Sequence, residues 1–346
     1  MNGKKAVTVS VVIVNYNREE LLRCCLDSLE RQTFRDFEII VVDNGSSDSS
    51  PAYISGLAGG LVDKAVFLKE NTGFTGGCNR GIKLASGRYV ALINNDAEAV
   101  PEWLSALLTA AEKDPETGMW ASKILFYGTD IIDKAGHLIF PDGQNRGMGT
   151  GELDAGQYQA EKEALFPDGC AAMYRRELLE ETGGFDEDFF AYADDADLGL
   201  RARWLGWNCV YVPGAVVYHH HSATTGSFDP DKIYWVERNR IWLAVKNLPL
   251  PLLLFSPLFT FYRFVWNLAA AAVNKGSAGS FIKNYSWKIV TRVLIRATRD
   301  GWSEIIPQLR KRKEIIRTRK VSVMDFCRVL FRFRISARRL TMEGRK

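Results

Sequence analysis

Three aspartates crowd into four positions, Asp194, Asp195 and Asp197, directly after the aromatic run Phe189-Phe190-Ala191-Tyr192. A carboxylate so placed can act as a general base, taking the proton of a hydroxyl as that hydroxyl attacks. On a helix Asp194 and Asp197 share a face, while Asp195 points elsewhere and Leu198 and Leu200 turn to the core. An acidic helix start favoured by the helix dipole reads the same way, so the cluster alone does not decide. A second candidate is Asn94-Asn95-Asp96, which closes the apolar run RYVALI. A carboxylate at the end of a buried strand can hold a divalent cation against a diphosphate, although such an Asp is also a common cap or turn residue. A third is the glycine-rich stretch Asn71–Gly87, NTGFTGGCNRGIKLASG. Its glycines let backbone come close to a ligand, and a helix start there offers free N–H groups to phosphate. It is not a GxGxxG after a first strand, so it matches a dinucleotide fingerprint poorly. His219-His220-His221 follows an apolar run. Neighbours in an extended chain point to alternating sides and cannot all bind one ion, which leaves one of the three for an active rim.

The elements that must position these groups alternate. Val9–Val14 is a β-branched run suited to a parallel strand covered on both faces. Asn17 can cap the next helix with Glu20 three places on, and Leu21, Leu22, Cys25, Leu26 and Leu29 give that helix its apolar stripe. A second strand, FEIIVVD, ends at Asp43, and GSSDSS opens another helix. A third strand is expected near Val66–Leu68 and a fourth at RYVALIN. Pro101 fits the first turn of a helix carrying Trp103, Leu104, Leu107, Leu108 and Ala111. This rhythm predicts an α/β sheet of Rossmann type, whose ligands sit outside the carboxyl ends of the strands. Asn15-Tyr16-Asn17, the DNGSSD stretch and Asn94–Asp96 each follow a strand, which puts three polar clusters on one rim. Between about Phe126 and Phe166 periodicity is weak, consistent with loops and short strands shaping an acceptor side. There are no internal repeats.

At 346 residues, 47% hydrophobic and 25% charged, the chain is globular rather than disordered or fibrous. The net charge of +4 conceals 19 Lys/Arg against 5 Asp/Glu from Lys283 onward, and 26 against 36 before it. Such a basic tail suggests an anionic partner, a membrane surface or nucleic acid, and no nucleic-acid recognition motif is present. Six cysteines without a CxxC pair suit a reduced compartment. The N-terminal apolar run reads as a core strand rather than a signal peptide.

Together these pieces resemble the family 2 inverting glycosyltransferases of the GT-A fold, especially their rhamnosyltransferase-like branch. The resemblance runs from about Val9 to Asn247 through VSVVIVNYNR, IIVVDNGSSDSS, ENTGFTGGCNRGI, LINNDAEAVPEWL, GGFDEDFFAYADDADLGLRARWLGW and VYHHHSATTG, in the family's order. It implies that Asp43 reads the nucleobase edge, with Asn15, Tyr16 and Asn17 in the same pocket. Asn71, Gly76, Gly77 and Asn79 would border the nucleotide and sugar, beside Asn94 and Asn95. Asp96 matches the last carboxylate of the family's DxD motif and would hold Mg²⁺ or Mn²⁺, with His219 completing the metal site. Asp195 matches the second acid of the ED motif, the base. Asn94 replaces the first DxD carboxylate, and Asp194 replaces the ED glutamate.

Leu248–Val273 is long enough to span a bilayer, but it carries Arg263 mid-way and Pro249, Pro251 and Pro257 in its first half. A charge at the bilayer centre costs about 2.5–3.5 kcal/mol on insertion scales, which favours a helix or hairpin lying in the interface over a single span, with a core helix as the plain alternative. Further on, Val323, Phe326, Cys327, Leu330, Phe331 and Ile335 form one helical face, with Arg328, Arg332, Arg338 and Arg339 on the others. That pattern suits an anionic membrane surface. The expectation is therefore a GT-A Rossmann-like mixed sheet flanked by helices over residues 1–247, and a helical membrane-associating region over 248–346. The expected activity is metal-dependent, inverting transfer of a sugar, rhamnose from dTDP-rhamnose, onto a saccharide, lipid-linked, at the cytoplasmic face of an inner membrane. The alternatives are another donor such as a UDP-hexose or UDP-galactofuranose, or a non-catalytic nucleotide-sugar-binding protein.

Overall fold

The computed structural model describes residues 7–220, 229–276, 279 and 285–343. The first half is the expected alternation: β1 (Val9–Asn15), α1 (Glu19–Glu30), β2 (Phe37–Asp43), α2 (Ser50–Leu57), β3 (Lys64–Phe67), α3 (Gly73–Leu84) and β4 (Tyr89–Ile93). After it come β5 (Ala97–Ala99), α4 (Trp103–Ala111), β6 (Thr117–Phe126), β7 (Ile132–Lys134), β8 (His137–Ile139), β9 (Asn145–Gly147) and β10 (Lys162–Glu163). Next are β11 (Ala171–Arg175), α5 (Arg176–Thr182), α6 (Asp194–Trp204) and β12 (Asn208–His219). Six helices follow among the described residues: α7 (Pro230–Asn247), α8 (Leu250–Ala272), α9 (Trp287–Ser303), α10 (Ile305–Thr318), α11 (Val323–Arg332) and α12 (Ala337–Met342).

The main sheet runs β10-β12-β6-β11-β4-β1-β2-β3. β3, β2, β1 and β4 are parallel, and β11 enters antiparallel between β4 and β6. That reversal brings the start of β11, rather than its end, to the rim where β1, β2 and β4 finish. Alternate strand residues feed two cores: Val12, Ile40, Val90 and Leu92 on one face, and Val11, Ile13, Ile39, Val41 and Ala91 on the other.

Some local expectations fail for identifiable reasons. Asn17 does not cap α1: it sits at φ 57° and its Oδ1 accepts from the Ser47 N–H at 2.8 Å, tying two rim loops together. Pro257 does not break α8. The Leu253 carbonyl that a proline leaves without its helical donor accepts the Ser256 hydroxyl instead, at 2.8 Å. Nor does Arg263 stand alone. It is buried, with Nε 2.7 Å from Asp142 and Nη1 2.7 Å from Glu237, whose other oxygen accepts from Arg240 at 3.0 Å. Burial alone would raise Glu237, but the two guanidiniums hold its pKa down to about 2.

The C-terminal helices fold back onto the sheet and its helices. Phe326 stacks on Trp204 with ring centroids 3.7 Å apart, and Ile315, Leu330, Phe333 and Ile335 belong to the same core as the sheet. Four of the tail's cations meet the body's own acids. Lys311 lies 2.6 Å from both Asp186 and Asp188, Lys320 pairs with Glu181, Arg332 with Glu163 and Arg339 with Glu152. The outer face of α8 is different: Leu254, Leu258, Phe261 and Leu268 are each 65–71% exposed. It is the one described helix long and apolar enough to cross a membrane.

Candidate active site

Strand order laces three of the rim clusters together. Asn15 and Asp43 are register partners on adjacent parallel strands, and the Asn15 amide donates to Asp43 Oδ1 at 3.2 Å. Asn95 donates in turn to Asn15 Oδ1 at 2.8 Å. Asp43 is almost fully buried, and its second oxygen accepts from the Ser46 N–H at 3.1 Å. Tyr16 is half-buried beside them. Asn44 bridges to the glycine-rich loop, donating to Asn71 Oδ1 and to the Gly73 carbonyl, each at 2.9 Å.

That loop behaves less as a ligand cradle than its composition suggests. A Cβ on Gly77 would meet Val14 at 2.5 Å, and one on Gly76 would meet Thr72 at 2.6 Å, so these glycines let α3 pack closely on β1 and on its own first turn. The Asn79 amide donates to the Phe185 carbonyl at 2.9 Å and to Glu187 at 3.0 Å, stapling the segment before α6. Asn71 stays at the rim with its carbonyl oxygen engaged by Asn44 and by the Gly73 N–H.

Asp96 and His219 meet, with His219 Nε2 3.3 Å from Asp96 Oδ1. Two ligand atoms in adjacent positions of an octahedral ion with bonds of about 2.1 Å stand about 3 Å apart, so the pair fits one divalent cation. His219 Nδ1 lies 2.9 Å from Asp133, the carboxylate behind the imidazole that fixes a metal-binding histidine's orientation. Burial would lower the His219 pKa, but Cys170 and the hydrogen bonds to Asp133 and Asp96 raise it well above the usual value. A proton shared with Asp96 thus competes with a cation for the same nitrogen. His220 turns to the opposite side, stacking on Tyr127 at 3.8 Å and reaching Glu98 at 3.3 Å. His221 lies outside the described residues.

The three aspartates of α6 divide by environment. Asp197 is fully buried and bound to Lys246 at 2.7 Å and Arg201 at 2.8 Å, so its role is structural. Asp194 is buried, and burial together with the charge of Asp195 pushes its pKa well above the carboxylate range. Asp195 alone keeps some solvent access. Burial raises its pKa and His137 pulls it back only in part. Its Oδ1 accepts from the Ala196 N–H at 2.7 Å and its Oδ2 from the Gly169 N–H at 3.4 Å, with His137 Nε2 3.7 Å away.

Sequence reasoning passed over the residues that join the two halves. Asp168-Gly169-Cys170 precedes the reversed strand β11 and therefore lies on the rim. Gly169 touches Asp195, while the Cys170 thiol hydrogen-bonds His219 and its carbonyl accepts from Asn94 N–H at 2.8 Å. Base and metal candidates thus border one short stretch of chain. Asp168 accepts from Lys134 Nζ at 2.7 Å and stands 2.9 Å from His137 Nε2. Burial would raise Asp168, yet these two partners hold it well below the ordinary range. His137, Asp168 and Asp195 present ligand atoms within 4.8 Å of one another. The Lys134 ammonium already supplies positive charge there, which suits a hydrogen-bonded support for Asp195 better than a second cation site.

Two helical residues were also missed. Phe190, Tyr192 and Ala193 all have φ between 58° and 67°, a strained approach to α6. The Asn239 amide on α7 holds this loop by its carbonyls, donating to Phe189, Ala191 and Tyr192 at 2.7–2.9 Å. Lys246, on the same helix, spans Asp197 and Asp186. Their signal was polar residues on an otherwise apolar helix face.

Comparison with known proteins gives the family and the fold. The model for glycosyl transferase family 2 matches residues 10–183, half of the chain, and that for glycosyl transferase family group 2 matches residues 152–297. The chain is 31% identical over 255 residues, 70% of its length, to an O-antigen biosynthesis protein of Myxococcus xanthus. It is 28% identical over 238 residues, 62% of its length, to an N-acetylglucosaminyl-diphospho-decaprenol L-rhamnosyltransferase of Mycobacterium tuberculosis. It spans 20% of the Myxococcus protein, 26% of a further curated relative and 77% of the mycobacterial one. In fold it is similar to a mannosyltransferase of Pyrobaculum calidifontis solved with GDP-Man and Mn²⁺, with TM-score 0.54, 19% identity, and 87% of this chain and 88% of that one covered.

Proposed function

The chain belongs to glycosyltransferase family 2 and is a glycosyltransferase with a GT-A-like sheet, and from that premise we propose that it transfers rhamnose from dTDP-rhamnose, with inversion, onto a lipid-linked saccharide. The observation that carries this reading is the Gly169-Cys170 step, which sets Asp195 and the Asp96–His219 pair along one wall. Asp195 takes the proton of the acceptor hydroxyl as the oxygen bonds to the anomeric carbon and the nucleoside diphosphate departs from the opposite face. Its raised pKa, set first by burial, makes its carboxylate a stronger base than an ordinary aspartate. Gly169 and Ala196 N–H groups orient it, and Lys134, Asp168 and His137 support it from behind. A Mg²⁺ or Mn²⁺ ion held by Asp96 and His219 would neutralise the leaving diphosphate. Asn15, Asp43 and Asn95 form the floor on which the nucleoside rests.

The donor and acceptor classes draw on the mycobacterial relative, whose described substrate is a diphospho-decaprenol saccharide. Peripheral attachment to the cytoplasmic face of the inner membrane draws on the exposed apolar face of α8. The ion pairs of Arg263 anchor the other face of that helix to the enzyme, which favours lying on the bilayer over crossing it. A screen of nucleotide sugars for nucleoside diphosphate release, with thermal shift to register binding, tests the reading. Turnover selective for dTDP-rhamnose supports it; turnover with a UDP-hexose alone overturns the donor, and neither binding nor turnover with any donor overturns the activity.

A further inference from the structure

An apolar cavity of about 550 Å³ lies between α8, α11 and the end of β8, lined among others by Phe140, Leu252, Phe255, Phe259, Cys327 and Leu330. Its volume falls in the range of about 300–1,000 Å³ usual for small-molecule sites. None of the donor-side residues contributes to it. The single charged residue in its wall is Arg334, whose guanidinium lies 3.7 Å over the Phe331 ring and makes no ion pair among the described residues. Neighbouring tail cations differ: Arg332 and Arg328 are paired with Glu163 and Asp325. A hydrocarbon-lined hollow with one uncommitted cation at its edge complements an amphiphile with an anionic head.

Position supplies the second argument. Ile139 lines the cavity, and His137, two residues earlier on β8, approaches Asp195. Residues i and i+2 of a strand share a face, about 7 Å apart. The cavity and the support of the base therefore draw on residues two apart on one strand. The outer lip of the cavity runs on through Phe255 and Phe331 into the exposed face of α8, so a chain can enter from a lipid surface. The segment Phe333–Ile335 holds this arrangement by pairing with Ile139 as an added strand, donating and accepting backbone hydrogen bonds at 2.9–3.0 Å.

We propose that this cavity receives the first units of the hydrocarbon chain of the lipid-linked acceptor, with Arg334 on the adjoining phosphate. This rests on the lipid-linked acceptor proposed above. The probe is farnesyl phosphate, with farnesol and inorganic phosphate as controls. In a Cys24→Ser background the half-exposed Cys327 is the most accessible thiol, since Cys25, Cys78, Cys170 and Cys209 are buried. Saturating farnesyl phosphate is expected to slow maleimide labelling of Cys327 at least about tenfold, inorganic phosphate to leave it unchanged, and farnesol to protect only at higher concentration. By calorimetry, Cys327→Phe, which fills the cavity, and Phe255→Asp, which makes its lip polar, should each weaken farnesyl phosphate binding at least about tenfold, and Arg334→Ala about fivefold. Both cavity variants should keep wild-type transfer to a water-soluble saccharide acceptor. Unchanged labelling, or binding indifferent to both cavity variants, overturns the proposal even if transfer to soluble acceptors is intact. Protection without turnover of any nucleotide sugar would instead remove the enzymatic reading and leave the lipid site standing.

Discussion

Replacing Asp195 and Asp194 one at a time by asparagine separates the base from its neighbour. In Asp195→Asn the amide oxygen can still accept from the Ala196 N–H, now met at 2.7 Å, so the start of α6 should hold. What disappears is proton acceptance. Loss of a positioned base costs about 10²–10⁴-fold in rate, or about 3–5 kcal/mol of barrier. Asp194 is held well above its usual pKa, by burial first and by the Asp195 charge second, which favours its neutral carboxyl. Asparagine imitates that neutral form, and Asp194→Asn should lose less than about tenfold, ~1.4 kcal/mol. The assay is initial-rate release of nucleoside diphosphate at saturating donor and acceptor, with calorimetric donor Kd and melting temperature as controls. If both variants melt like wild type and Asp194→Asn is the slower, the assignment of Asp195 as base is refuted. The pH profile gives a second reading. A base with a raised pKa loses its ionised form as pH falls through that higher value, so kcat/KM should decline in acid earlier than an ordinary carboxylate of pKa 3.8 would dictate.

The His137 charge lowers the Asp195 pKa, so His137→Asn should move that acidic limb to higher pH; an unmoved limb would detach His137 from the base. Chelation with EDTA should abolish turnover, with recovery on adding Mn²⁺ or Mg²⁺, whereas an undiminished metal-free rate would remove Asp96 and His219 from a metal role. Arg263→Leu leaves Arg240 as the one cation between the buried Glu237 and Asp142 and should cost about 3 kcal/mol in urea unfolding; a loss below about 1 kcal/mol would mean that Arg240 suffices for both. Asn239→Ala frees the strained loop before α6 and should lower kcat by up to about 10²-fold at unchanged donor Kd; an unaffected kcat would show that Asn239 does not position Asp195.

The rim was legible because its polar clusters end strands whose burial shows as nearly continuous apolar runs rich in Val and Ile: Val9–Val14, Ile39–Val42 and Tyr89–Ile93. Asp96 follows β4 and His219 ends β12, as a reading from strand ends expects, whereas Asp195 is singled out of its acidic cluster by the resemblance alone. What escaped depends on a reversal that periodicity does not encode. β11 is antiparallel, so the residues before it, Asp168 to Cys170, reach the rim although a parallel reading looks after strands. β6, buried along nearly its whole length but interrupted by Gly118, Ser122 and Lys123, shows neither alternation nor a clean apolar run. Lys134 and His137 sit on three-residue strands, too short for any period. Gly76 and Gly77 illustrate the opposite error: glycine reports close approach without saying of what, and here Val14 and Thr72 do the approaching.

The division between an acidic body and a basic tail admits an explanation internal to the chain. Lys311 reaches Asp186 and Asp188, in the segment just before the strained loop, and the Gln308 amide donates to Asp188 at 3.2 Å. Arg312 donates to the carbonyls of Val245 and Leu248, where α7 gives way to α8. The tail therefore braces the elements that carry Asp195 and Asn239, and its charge is complementary to the surface it covers. Deleting it would strip Phe326 and Leu330 from the core and the clamps from the site together. Loss of activity in such a truncation would say nothing about lipid. Membrane attachment is better tested on α8, where Leu254, Leu258 and Phe261 face outward and support no ion pair. Leu254→Asp, Leu258→Asp and Phe261→Asp together should release the enzyme from anionic liposomes while leaving transfer to a soluble acceptor intact, and retention on the pellet would place the membrane contact elsewhere.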